Sequence, residues 1–403
     1  MFKTLLPFAH LLSMSYSLLT TPPNYLSAHG DIIFVAFENV KAIDPATYQD
    51  YKYVCDIYVN SVQIARLKSF PDPVNNFGIF NIGDIVRAYV ATTFNPAAGI
   101  RTQELGEGEF FVSIVCEFGE EYNFVTYTNL VTDSTRKYYN HYNGRLIGQN
   151  TILSNYADKA ATNRSFYNKV QNTSPAFIPY LPTSTSTYDV VIKSYDFSNT
   201  NVGTQTATFT PAAAYELQIL NVSPAAINGV YTGFIDDNIK YYTVKIGSTS
   251  TYQFTLDCVP KYTLYSLVWM NQLGGFESFD FSYVSRKTIN IEKHDFTKIP
   301  YVIDASGNVS YYNSNNVYNE LKSVFSSQFT EKLRLTSDFV NDTQYVWLKE
   351  LVTSPMVFII INSYYVPVAI TDVDYEMKQA QNDNLTSLIL NVQYGQTYNT
   401  QYR

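Results

Sequence analysis

From Asp31 to Tyr394 the sequence falls repeatedly into short runs in which apolar and polar residues alternate, each run closed by Asn, Gly, Ser or Pro. A period of two puts successive side chains on opposite faces of a strand, whereas an amphipathic helix needs apolar residues three and four apart. Composition points the same way. Tyr (36) and Phe (26) dominate the aromatic residues and only 15% of residues are charged, a mixture that fits half-buried pleated surfaces better than helices. The fold class read from this is mainly β: multi-domain β-sandwich or barrel modules, with a C-terminal α+β module that carries one helix. At 403 residues the chain exceeds what one hydrophobic core usually organises, so two or three domains are expected.

Residues 1–22 read as an N-terminal arm or an over-extended start, because the sequence from Met14 itself resembles a protein start. A signal peptide is the alternative, although Pro7 and His10 interrupt the apolar stretch and it is too short to span a bilayer. Residues 23–150 form a β domain with one short helix. In it, Tyr51–Val59 and Gln63–Lys68 flank a hairpin connection at Asn60-Ser61-Val62, and Asn81 stands as N-cap before the helical spacing of Ile82, Ile85, Val86 and Tyr89. Apolar periodicity fades over 151–187, where Pro175, Pro179 and Pro182 mark a crossing segment. Short strands at regular spacing return over 188–258, as expected of a second β-sandwich. The last region, 259–403, carries a Gly274-Gly275 turn before the strand Phe276–Phe281. It also carries a helix over 344–352, capped by Asn341-Asp342-Thr343, with Val346, Trp347 and Leu351 on one face. Pro355 stops that helix, and Met356–Ile361, Asn362-Ser363-Tyr364 and Tyr365–Thr371 follow as strand, tight turn and strand.

Chemistry was sought in the charged and nucleophilic residues. The net charge is −8, no run of Lys or Arg follows a phosphate backbone, and Arg136-Lys137 and Arg286-Lys287 read as solvated faces, so nucleic acid is not expected as a partner. Cys55, Cys116 and Cys258 are odd in number and lack metal-ligand spacing; each sits in an alternating apolar run and reads as a buried thiol. His10, His29, His141 and His294 show no ligand spacing, and His294-Asp295, adjacent on a strand, point to opposite faces. Neither a phosphate-binding loop nor a nucleophile elbow is present, so no catalytic residue, cofactor or metal is expected. Asp236-Asp237 and Asp372/Asp374 read as turns, with a cation or a glycosidase pair as the functional alternative. No stretch after residue 22 is long and apolar enough for a membrane span. Two aromatic clusters read as exposed and loop-like: Tyr138, Tyr139 and Tyr142 in one, Tyr311 and Tyr312 in the other. Clusters of this kind suit protein interfaces or stacking on sugar rings.

Several of these segments together resemble virion structural proteins, tail or baseplate associated, of phages that infect Bacteroides-like and Flavobacterium-like bacteria. The resemblance rests on Trp269–Phe279, with its Asn271-x-Leu273-Gly274-Gly275-Phe276 core, and on Trp347–Val357 followed by Pro367-Val368. Tyr53–Asn60, Arg66–Lys68 and Phe77–Asn81 add to it; as departures, Glu277 stands where that group has Asp, and the segment around Ala160–Phe166 keeps only Thr162-Asn163-Arg164 of the pattern. What the resemblance implies is a non-enzymatic virion protein, a tail or baseplate building block such as a distal tail ring, assembled in the host cytoplasm as a homo-oligomer with other tail proteins. A receptor- or glycan-binding surface protein, on a virion or a bacterial envelope and with a host surface glycan as partner, is the other expectation. A glycoside hydrolase on a β scaffold is the third.

Overall fold

A computed structural model of the chain describes residues 16–141, 155–247, 251–257, 261–313, 315–371 and 386–399. Strands hold 52% of the described residues and helices 8%, so the fold is mainly β; among the same residues the sheets are antiparallel and none closes into a barrel.

Compact units do not follow chain order. One draws on Met1–Thr162, Phe177–Gln253 and Asn271–Phe276, the other on Asn163–Ala176, Phe254–Met270 and Glu277–Arg403. The regions 23–150 and 188–258 therefore share the first unit up to Gln253, because strands far apart in sequence pair there: Arg101–Leu105 lies antiparallel to Leu217–Asn221.

In the first unit, Lys52–Val59 pairs on one side with Val62–Ser69 and on the other with Phe111–Tyr122, which also pairs with Val125–Thr132 and Arg136–Tyr139. The hairpin connection is the two residues Asn60-Ser61, with φ of 49° and 63°. Positive φ at both central residues gives the turn whose twist matches the strands it joins. Alternate residues of these strands, among them Tyr53, Cys55, Ile57, Ile114, Cys116 and Phe118, are buried with Phe34 and Phe80 of the neighbouring three-stranded sheet. The first helix is Gly83–Arg87, shorter than expected; Asn81 is not its N-cap, but its Oδ1 accepts from the Gly83 N–H at 3.1 Å and the Ile32 N–H at 3.2 Å. A second sheet includes Phe177–Leu181, buried at every residue, and a third ladder joins Tyr188–Asp196 to Asn201–Phe209 and Ile239–Ile246. Between them, Pro224–Val230 is a short helix capped by the Ser223 hydroxyl.

A seven-stranded sheet organises the second unit, in the order Phe276–Phe281, Tyr265–Met270, Val357–Ile361, Tyr364–Ile370, Thr386–Asn399, Lys322–Val340 and Arg286–Thr297. Its helix is Asp342–Thr353. Asn341 Oδ1 accepts from the Gln344 N–H at 2.8 Å while Gln344 Oε1 accepts from the Asn341 N–H at 3.2 Å, a reciprocal cap that satisfies two end donors. Trp347, Leu348 and Leu351 face the core, packed with Trp269, Leu335 and Ile359. Val346 does not: it is exposed, because the buried stripe runs through 347, 348 and 351 and leaves the preceding position on the solvent side.

Candidate functional site

The structure separates the two aromatic clusters. Tyr138 and Tyr139 are fully buried, which corrects their reading as exposed loop residues. They end the strand Arg136–Tyr139, opposite Val112 and Phe111, and adjacent strand residues point to opposite faces, so both faces of this strand are covered. Tyr138 joins the first unit's core, while Tyr139 stacks among Tyr25, Phe110 and Phe111 with ring centroids 6.0, 5.2 and 5.4 Å away. Burial pushes both phenols above their ordinary range. Tyr142 lies outside the described residues. Tyr311 and Tyr312 are exposed, beside Tyr301 at 6.1 Å and Tyr318 at 5.7 Å respectively.

The residues that carry the family-like signatures turn out to be packing and turn residues. Asn271 is buried; its Oδ1 accepts from the N–H groups of Leu273 (3.0 Å) and Gly275 (2.9 Å), and its Nδ2 donates to the Ala161 carbonyl at 2.9 Å. Gly274 has φ of +81°, and a Cβ there would lie 2.2 Å from the Asn140 carbonyl oxygen; a Cβ on Gly275 would lie 2.3 Å from Pro179. Only glycines fit this turn. In the second unit the Trp347 indole N–H donates to the carboxylate of Glu277, which is fully buried, and the Arg164 guanidinium lies 4.8 Å over the Trp347 ring while donating to the Ser278 carbonyl. Asn163 donates to Glu350 at 2.7 Å. These are the groups a buried polar network uses to satisfy its charges.

The Asp280 carboxyl is pushed up to about 6; burial is the cause, opposed by hydroxyl bonds from Ser174 and Ser266 (2.6 Å) and by the Arg164 charge. Its residue keeps some accessible surface, but the carboxyl itself is enclosed by those groups. A cavity of about 60 Å³ adjoins it, lined also by Lys169, Asp338 and Gln344, room for water rather than a substrate. Lys169 and Asp338 pair at 2.6 Å. Asp236-Asp237 is an exposed turn in which Asp236 accepts from the Asn238 N–H, and Asp372/Asp374 lie outside the described residues. Among the described residues, no three His, Cys, Asp or Glu side chains gather as a metal set, and no helix is long and apolar enough to cross a membrane. Cys55 and Cys116 are buried thiols; Cys258 lies outside the described residues.

What remains is an arm on the second unit. Arg286–Thr297 is exposed at every residue and, among the described residues, pairs only with Lys322–Val340. The third strand, Thr386–Asn399, pairs with Lys322–Val340 as far as Gln328, so among the described residues the stretch beyond is a two-stranded ribbon leading to a small hairpin, Val302–Ile303 with Val309–Ser310. Two-stranded ribbons are marginal in water unless something covers them. Between 296 and 325 the exposed large apolar residues include Phe296, Ile299, Val302, Tyr311, Tyr318 and Phe325, with Ile299 68% and Tyr318 74% accessible. The charged residues of 298–321 are Lys298, Asp304 and Glu320. Lys298 and Glu320 pair at 3.5 Å, and Asp304 caps its own turn by accepting from Ser306 and Asn308. Half-exposed side chains of this size, about a dozen together, amount to roughly 1,000 Å² of apolar-rich surface, beyond the few hundred Å² a monomer commonly shows.

Only Tyr311-Tyr312 marks this arm in the sequence. Known families and curated proteins supply no parallel: comparison with protein-family models gives no match, and neither does comparison with curated proteins.

Proposed function

We propose that this chain is a non-enzymatic structural building block of a bacteriophage virion, in the tail or baseplate, which assembles with copies of itself and with neighbouring virion proteins. The observation that carries the assembly role is the charge-poor, aromatic-rich arm from Phe296 to Phe325, an exposed surface as large as one side of a standard protein interface, ~800 Å² per partner. The placement in a phage particle rests on the sequence resemblance alone. Polar groups elsewhere make packing contacts: Glu277 and Arg164 meet the Trp347 ring system, and Asp280 accepts from the Ser174 and Ser266 hydroxyls.

Native mass spectrometry of the full chain in reducing buffer tests the assembly role. Discrete oligomers that dissociate when Ile299, Val302 and Tyr318 are replaced by Ser support it; a monomer at tens of micromolar contradicts it. The second reading, a glycan- or receptor-binding surface protein, is favoured by the exposed rings of Tyr301, Tyr311, Tyr312 and Tyr318, which offer faces for sugar stacking. Glycan-array binding lost in Tyr312→Ala without any change of oligomeric state would favour that reading.

A further inference from the structure

We propose that the edge strand Arg286–Thr297 pairs antiparallel with the same strand of a second copy of this chain, about a two-fold axis at Ile291, joining two seven-stranded sheets into one. The inference deepens the assembly reading above and rests on it.

Arg286–Thr297 is the last strand of its sheet and none of its residues is buried, so one row of its backbone N–H and C=O groups faces outward. The strand is regular along its length. The irregularity beside His294 belongs to its inner neighbour, where His294 is opposite Ser326 and Asp295 opposite Val324, leaving Phe325 as the extra residue. Ile289 and Ile291, both more than half exposed, share the face that carries Leu333, because Lys287 is opposite Leu333 and Ile291 opposite Phe329. The apolar stripe thus continues the core face of the sheet to its open edge.

Symmetry narrows the possible registers. Directly opposed pairs in an antiparallel ladder alternate between hydrogen-bonded and non-hydrogen-bonded types. A two-fold axis cannot exchange two adjacent pairs of different type, so it must pass through a residue opposed to its own copy. Two centres use nearly the whole strand, Ile291 and Glu292. Centring on Glu292 sets two carboxylates against each other. Centring on Ile291 sets Ile against Ile, Lys287 against Asp295 of the second copy, Arg286 against the ring of Phe296, and Asn290 against Glu292, with no like charges opposed. Lysines on an edge ordinarily deter strand addition; in this register each meets either an acid or an isoleucine.

An independent feature lies where the second copy would continue. On the face of Arg286 and Arg334, opposite to that of Ile291, the same register sets Phe296 of the second copy. There the surface holds an open hollow of about 280 Å³ lined by Tyr283, Val284, Arg286, Arg334 and Thr336. The hollow would take the first apolar residues of the opposing arm, which commits the occupant to a copy of this chain rather than to a lipid surface, for which the arm lacks basic charge.

The test is Ile291→Cys in a full chain that also carries Cys258→Ser. Opposed Cα atoms about 4.5–5.5 Å apart fall within disulfide range, so mild oxidation is expected to give a covalent dimer on a non-reducing gel, with far less from Glu292→Cys. Lys287→Asp or Asp295→Lys alone is expected to weaken dimerisation by about tenfold or more, and the two together to restore it. Circular dichroism melts check that each variant is folded. Cross-linking at 292 in place of 291, or dimerisation indifferent to the charge reversals, overturns this pairing while leaving assembly intact. A chain that is monomeric by native mass spectrometry overturns both.

Discussion

The tripeptide Tyr-Tyr-Asn occurs at 138–140 and again at 311–313, and the two copies meet opposite fates. At 138–140 all three residues are buried, and Asn140 reaches across the fold: its N–H donates to the Phe110 carbonyl at 2.7 Å and its Nδ2 to Thr92 at 2.5 Å. At 311–313 both tyrosines are exposed and Asn313 closes only its own turn, accepting from the N–H groups of Asn315 and Val317. Identical local chemistry thus builds a core where distant chain supplies cover, and an open surface where it does not. The same contrast holds at larger scale between the first unit's covered strands and the second unit's arm.

The sharpest way to break the comparison is truncation on its buried side. Tyr139→Ala is expected to cost roughly 3–5 kcal/mol of unfolding free energy, the range for a large aromatic removed from a core, read by differential scanning calorimetry. A loss below about 1 kcal/mol would mean that the strand Arg136–Tyr139 is not covered as described.

Next in size is a pH effect that separates the second unit's firm core from its arm. Asp280 titrates near 6 in the folded chain and about 3.9 when unfolded. With the folded value raised, the native state holds a proton that the unfolded chain has lost between those values. Stability is therefore expected to fall as pH rises from about 4 to 6, by up to roughly 3 kcal/mol, and Asp280→Asn to flatten that part of the profile. Both tryptophans, Trp269 and Trp347, lie in this unit's core, so indole fluorescence during urea unfolding reports it selectively. Fluorescence-detected stability that stays level or rises across that window contradicts the burial of this carboxyl.

Gly274→Ala attacks the buried tripeptide from the other side, because the new Cβ would press on the Asn140 carbonyl from a left-handed backbone. A loss of about 1–3 kcal/mol is expected in chemical denaturation. Smallest of all is Tyr312→Ala, expected to move stability by less than about 0.5 kcal/mol, as for an exposed residue. A larger loss would place Tyr312 in a packed environment and erase the contrast.

How far the sequence disclosed this follows from where the deciding contacts lie. The helix Asp342–Thr353 was legible because its cap is local, Asn341 to Gln344, and the turns at Asn60-Ser61 and Asn362-Ser363 because positive φ has its own residue preference. Tyr138 and Tyr139 were not, since their cover comes from Tyr25 and Phe110, partners that no local pattern announces. Mainly β architecture was readable from alternation; the discontinuous make-up of the two units was not, because pairings such as Arg101–Leu105 with Leu217–Asn221 join distant stretches. The arm escaped notice for a different reason: with no core-facing side, its apolar residues lose the alternation that marks a strand.

Amide hydrogen exchange at two protein concentrations tests the central claim, that the arm is a surface made to be covered. Exchange across residues 296–325 is expected to slow as concentration rises from about 0.1 to tens of micromolar, while the strand Arg136–Tyr139 is equally protected throughout. Fast exchange in the arm at every concentration would contradict the account.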